Sequence, residues 1–264
     1  MRFGLFALLT VCGFLIFALT MTFTTVLPVW ANYVARVIFL VIFGALWWAA
    51  RAERPLNRFR PVFFPCFAAV LGLSLGFFFA DWGLKLLGLT TRTPVGIAVA
   101  KFSQASLIVI GILAVARLGG EDLASLYIRK GHLLLGLSVG LIAAAACLVL
   151  SLLQPMVRAL GTAKLMSLAP WILVFVVSNA FMEELLFRGS FLGRYEPLTL
   201  AFTLAHIQVN YAPNLSGFLT VTFGFSITWG WLMQKTGSLW GSVLFHCGAD
   251  LLIILPVFSS FGAV

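Results

Sequence analysis

Charge is scarce in this chain. Only 9% of its 264 residues are Asp, Glu, Lys or Arg, where a soluble domain carries about a quarter. So little polar surface cannot coat a water-facing globule. Strict alternation of apolar and polar residues is missing too, which excludes the pattern of a membrane β-barrel. Cysteines are few: Cys12, Cys66, Cys147 and Cys247 all fall within apolar runs, with no C-x-x-C spacing. They read as buried free thiols rather than disulfides or metal ligands. Acids number eight, and that shortage makes the position of each one informative.

What the chain has in quantity is continuous apolar sequence. Hydrophobic residues make up 62% and the mean hydropathy is +1.09. A membrane span needs about 20 such residues, and in hydrocarbon the backbone must satisfy its own hydrogen bonds. The fold class expected is all-α, a polytopic transmembrane helical bundle of about eight spans, forming one integral membrane domain over 1–264. The apolar segments run over 4–27, 34–50, 61–80, 95–116, 133–153, 169–192, 197–212, 215–233 and 238–257, the seventh short enough to be tilted or only partly spanning. The first run is too long for a signal-peptide core and no A-x-A site follows it, so a retained helix is expected.

The net charge of +9 comes from 17 basic residues against 8 acids. The basic residues sit mostly between apolar runs, where they set topology and meet anionic headgroups; nucleic-acid binding is not expected. Arg51, Arg54, Arg58 and Arg60, then Arg117, Arg129 and Lys130, then Arg188 and Arg194, then Lys235, fall on one set of alternate connections. Lys85, Arg92, Arg158 and Lys164 lie on the other. The richer set predicts the cytoplasmic face. The polar stretch Gly119–His132 predicts a short amphipathic segment on that surface.

An acid at the centre of a membrane helix costs at least about 2.5–3.5 kcal/mol. Glu53, Asp81, Glu121, Asp122 and Glu196 avoid this in connections or at helix ends, whereas Glu183, Glu184 and Asp250 sit inside apolar runs. His206 and His246 do the same. In F-M-E-E-L-L-F-R-G (Phe181 to Gly189), Glu184 and Arg188 are four apart, the order that pairs an acid with a base on one helix face. Glu183 is rotated by about 100° and is expected to meet a different partner. Phe202 and His206 share a face, as do His246 and Asp250. Each feature has an ordinary reading: ion-paired structural glue, an interhelical hydrogen bond, a self-satisfied pair. Depth argues for one site instead. At 1.5 Å per residue, Glu183, His206 and His246 lie roughly 16, 13 and 12 Å from the same interface. Three separate segments bring polar groups to one level, which implies a shared, water-accessible cavity open to the cytoplasm.

These residues resemble the three motifs of the CPBP (CAAX protease and bacteriocin-processing) membrane peptidases, the type II CAAX prenyl endopeptidase-like family. E-E-x-x-x-R is similar to Glu183-Glu184…Arg188, F-x-x-x-H to Phe202…His206, and H-x-x-x-N/D to His246…Asp250. The resemblance covers roughly Trp171 to Pro256; it divides the chain into N-terminal helices of weak likeness (1–168) and core helices (169–257). It implies an intramembrane endopeptidase acting on peptide or membrane-protein substrates, in the plasma membrane, with its site toward the cytoplasm. It also implies roles. Glu183 with His206 would activate water, Glu184 would support the site and Arg188, and His246 with Asp250 would stabilise the oxyanion. The chemistry is sound, since a desolvated carboxylate can serve as a general base and a histidine donor can stabilise an oxyanion. An ionised Asp250 accepts but cannot donate, so it either carries a proton or orients His246.

Two histidines and a carboxylate are also a hydrolytic zinc set. With a divalent metal, Zn for instance, the ligands would be Glu183, His206 and His246; no H-E-x-x-H helix is present, and catalysis without a metal cofactor is expected. Two other functions compete. A non-catalytic interaction or bacteriocin-immunity protein would keep the fold and dispense with the site. A proton- or ion-coupled transporter would need polar residues on both sides of the midplane; positions such as Lys101, Ser103 and Gln104 offer some material, and Lys101 is expected to snorkel.

Overall fold

The computed structural model describes residues 11–16, 28–192, 202, 203, 205–207 and 214–261. Among them every regular element is helical. The elements are α1 (Val29–Ala52), a 3-10 turn (Arg54–Phe59), α2 (Arg60–Phe78), the short α3 (Trp82–Leu87), α4 (Pro94–Gly119) and a second 3-10 turn (Leu123–Leu126). There follow α5 (Leu133–Leu152), the short α6 (Pro155–Leu160), α7 (Thr162–Glu183), a π-helical continuation (Glu184–Leu192), α8 (Leu215–Thr236) and α9 (Trp240–Ser260). Seven of the described helices are long and apolar enough to cross a membrane, in keeping with a polytopic bundle of about eight spans. Most of the expected segments 4–27 and 197–212, and Arg194 with them, lie outside the described residues.

Local signals set the helix ends. Thr93 caps α4 by accepting from Gly96 N, with Pro94 in the first turn, and Gly120 closes it in the left-handed conformation, which costs a residue without Cβ nothing. Asn214 caps α8 in the same way through Gly217 N.

Helix–helix contact in a bilayer relies on small residues that let backbones approach. On α5 and α9 these are Gly136, Gly140 and Ala144 facing Gly241 and Gly248. A Cβ on Gly241 would come within 2.6 Å of Gly136 O, and one on Gly248 would run into Ala144 Cα. The opposite face of α5 carries Leu134, Leu141, Ile142 and Val149, all exposed, as lipid contact requires. Gly72 of α2 and Gly111 of α4 form a similar close pair. The seat of α9, which carries His246 and Asp250, is thus fixed at backbone distance.

The loops at one end are tied together. Arg60 bonds to Glu121 at 3.1 Å and donates to Gly119 O. Arg129 Nε donates to Gly237 O at 2.6 Å, Ser238 Oγ to Arg129 O at 2.8 Å, and His132 N to Thr236 O at 2.7 Å. Three of the arginine- and lysine-rich connections therefore share one face. The stretch Gly119–His132, expected as a short amphipathic segment at the surface, contains a 3-10 turn followed by Tyr127 at φ 59, with Leu126 fully buried. Bonds to the loop after α8 take up part of its backbone.

Candidate active site

A change of helical register builds the site. The α-geometry of α7 ends at Glu183, and the π-helix, with one more residue per turn, begins at Glu184. Such π segments cluster at functional positions. Ser190 Oγ donates to Leu185 O, five residues back. Gly189 faces Leu126 O, which a Cβ would approach to 2.9 Å. The π segment is thereby pressed against the buried turn at the basic face.

Glu184 is completely buried and receives two strong bonds on one oxygen. Arg188 Nη1 donates to its Oε1 at 2.7 Å, and so does His246 Nδ1, also at 2.7 Å. The Arg188 guanidinium is held further by Nη2–H to Ser226 Oγ at 2.6 Å, and lies over the rings of Phe202 and Trp229 at 4.5 and 5.0 Å. A buried charge needs this number of partners.

Glu183 reaches the other side of the same imidazole: its Oε2 is 3.5 Å from His246 Nε2. The two glutamates do diverge, as their one-residue offset requires, but a single ring sits between them and meets one at each nitrogen. Glu183 thus meets a partner other than Arg188, as its offset on the helix leads one to expect. Its near neighbour is His246, and among the described residues no hydrogen bond or ion pair joins it to His206. Among the described residues, Glu183 Oε2 is buried without a hydrogen-bond partner, as is Glu184 Oε2.

The remaining groups surround the His246 ring. Asp250 Oδ1 stands 3.6 Å from His246 Nε2, too far for a hydrogen bond. Both Asp250 oxygens accept from Asn179 Nδ2, at 3.3 and 3.1 Å. Trp229 stacks flat on the His246 ring, centroids 3.9 Å apart and planes 11° from parallel. His206, half-buried, pairs its Nδ1 with Phe202 O at 2.8 Å. A carbonyl only accepts, so that nitrogen carries the proton and Nε2 is left to accept. Phe202 bridges the two histidines, 4.7 Å from the His206 ring and 6.1 Å from that of His246.

Of the residues singled out from sequence, Glu183, Glu184, Arg188, His246 and Asp250 meet directly, and His206 joins them through Phe202. Asn179, Ser226 and Trp229 were missed. Asn179 left a usable signal: it is a polar residue in an apolar run, one turn before Glu183. Ser226 and Trp229 left none, since small and aromatic residues are ordinary in membrane helices.

Among the described residues no group of three His, Cys, Asp or Glu side chains is placed to hold a metal ion.

A family model covers the segment that carries these residues, from Leu165 in α7 through the π segment and α8 to Leu252 in α9. No curated protein and no solved structure matches the chain. The model is that of the type II CAAX prenyl endopeptidase Rce1-like proteins, and residues 165–252 of the chain match it.

Proposed function

We propose that this protein hydrolyses peptide bonds of membrane-associated substrates from the cytoplasmic face of the plasma membrane, using Glu183 as the base that activates water. The observation that carries this reading is the state of Glu183 Oε2, a buried carboxylate oxygen with no hydrogen-bond partner among the described residues, 3.5 Å from His246 Nε2. A water molecule between that oxygen and a substrate carbonyl would satisfy both. A general base must stand within one hydrogen bond of the proton it removes.

The other side chains take roles that their bonds support. Glu184 anchors the His246 ring through Nδ1 and fixes its tautomer, as second-sphere carboxylates do for functional histidines. With Nδ1 committed, His246 acts at Nε2. A carboxylate faces each of its nitrogens, so the ring can carry a second proton and donate Nε2–H to the oxyanion. Asp250 has both oxygens engaged as acceptors, which favours the orienting role over that of a donor. His206, with Nε2 free to accept, holds the attacking water from the other side. Arg188 holds Glu184 in place. Catalysis proceeds from these side chains, with no metal cofactor.

The test is proteolysis of a membrane-peptide library by the purified protein in lipid nanodiscs, with Glu183→Gln as control and with and without a chelator. Cleavage by the wild type, lost in the glutamine variant and indifferent to chelator, is the expected result. Chelator sensitivity would overturn the metal-free mechanism. A cellular phenotype that survives Glu183→Gln would instead favour a non-catalytic interaction or immunity role.

A further inference from the structure

We infer that Asn179 is a positioning residue of this site, holding the Asp250 carboxylate in the orientation from which it faces His246 Nε2. The inference rests on the peptidase reading above and extends it to a residue outside the three motifs.

Nothing about an apolar helix calls for an amide at this point. Asn179 is 7% exposed, on α7, one turn before Glu183, where an unsatisfied amide costs a few kcal/mol in an apolar setting. Its Nδ2 is directed at one target, the carboxylate of Asp250 on α9, and reaches both oxygens. The other charged groups around Asp250 are His246 on its own helix, Glu183 on α7 and Lys101 on α4. None of them is hydrogen-bonded to it: His246 Nε2 stops at 3.6 Å, Glu183 is another acid, and Lys101 directs its ammonium over the Phe175 ring at 5.5 Å. The direction in which Asp250 points is therefore set by Asn179. Phe175, Asn179 and Glu183 follow at intervals of four along one face of α7, so the base and the amide descend from the same rigid element.

An amide that only glued two helices would affect stability alone. One that aligns a carboxylate beside His246 would also lower kcat in protein that remains folded. The two readings separate with Asn179→Ala, which removes the donor to Asp250, and Asn179→Asp, which keeps the size of the side chain and sets an acceptor where the donor stood.

The experiment measures kcat and KM for the full-length wild type and both variants in nanodiscs, together with their thermal midpoints. Each variant is expected to lower kcat per folded molecule about 10- to 100-fold, the worth of a hydrogen bond to a charged group, with KM within about 3-fold. Losses that follow only the folded fraction would overturn the inference. The isosteric aspartate variant carries the test if the alanine variant does not fold. The chain has three histidines, so NMR of histidine-labelled protein supplies a readout independent of cleavage. The His246 ring signals are expected to move in both variants and those of His132 to stay, and unmoved His246 signals would sink the inference. A wild type that cleaves nothing would end the peptidase reading, and the NMR result would still decide whether Asn179 governs the Asp250–His246 pair.

Discussion

At the residue scale, Arg188 shows how much of this site is electrostatic balance. Its guanidinium is buried against Glu184 at 2.7 Å and Ser226 at 2.6 Å. Removing one partner of a buried ion pair leaves the other uncompensated and costs about 3–5 kcal/mol. Arg188→Ala should therefore lower the thermal midpoint in detergent well beyond what an exposed arginine does, and remove cleavage with it. Arg188→Lys keeps the charge but cannot bond Glu184 and Ser226 in one plane, so an intermediate midpoint is expected. Equal midpoints for wild type and Arg188→Ala would show that Glu184 is not held as described.

The residue scale is also where sequence was most readable. Acids and histidines are so expensive in hydrocarbon that Glu183, Glu184, His206, His246 and Asp250 stood out on position alone, and spacings of four gave the Glu184–Arg188 pair. Spacing could not say which ring Glu183 would meet. That depends on how α7 and α9 pack, and a helix wheel knows nothing of its neighbour. Asn179 was missed, although an amide in an apolar run is a usable signal; its partner 71 residues away left none.

At the scale of elements, the π-helix at Glu184–Leu192 was invisible beforehand. Over nine residues a period with one more residue per turn is not distinguishable from 3.6 when nearly every position is apolar. The glycine seam between α5 and α9 was equally silent, because glycines spaced by four acquire meaning only beside a facing helix. Gly248→Val should drive α9 off Ala144, carrying His246 and Asp250 out of register, and so lower both thermal midpoint and cleavage. Gly224 on α8 has open space where a Cβ would go, and Gly224→Ala should leave the midpoint unchanged or raise it by the roughly 0.5–1 kcal/mol that alanine gains over glycine in a helix. A Gly248→Val protein as stable and active as wild type would contradict the packing described for α9.

At the scale of the whole molecule, composition carried most of the fold. Continuous apolar runs, too few charges for a soluble surface and the demand for internal backbone bonding leave a helical bundle. The tie between basic loops adds what composition could not: Arg60 to Glu121 and Arg129 to Gly237 place three of those connections at one end. Positive residues favour the cytoplasm, so a cysteine introduced at Lys130 should resist an impermeant thiol reagent in intact cells and react after permeabilisation. One introduced at Arg92, on the opposite face, should react without it. The reverse pattern would place the site on the other side of the membrane.

The central claim is that Glu183, set against His246 and wanting one hydrogen bond, turns water into a nucleophile. Single-turnover cleavage of one identified peptide, wild type against Glu183→Gln and both verified as folded, tests it most directly. The account predicts that the chemical step falls by at least the roughly 10²–10⁴-fold a positioned general base contributes, with peptide binding kept. A glutamine variant that cleaves at the wild-type rate would contradict it.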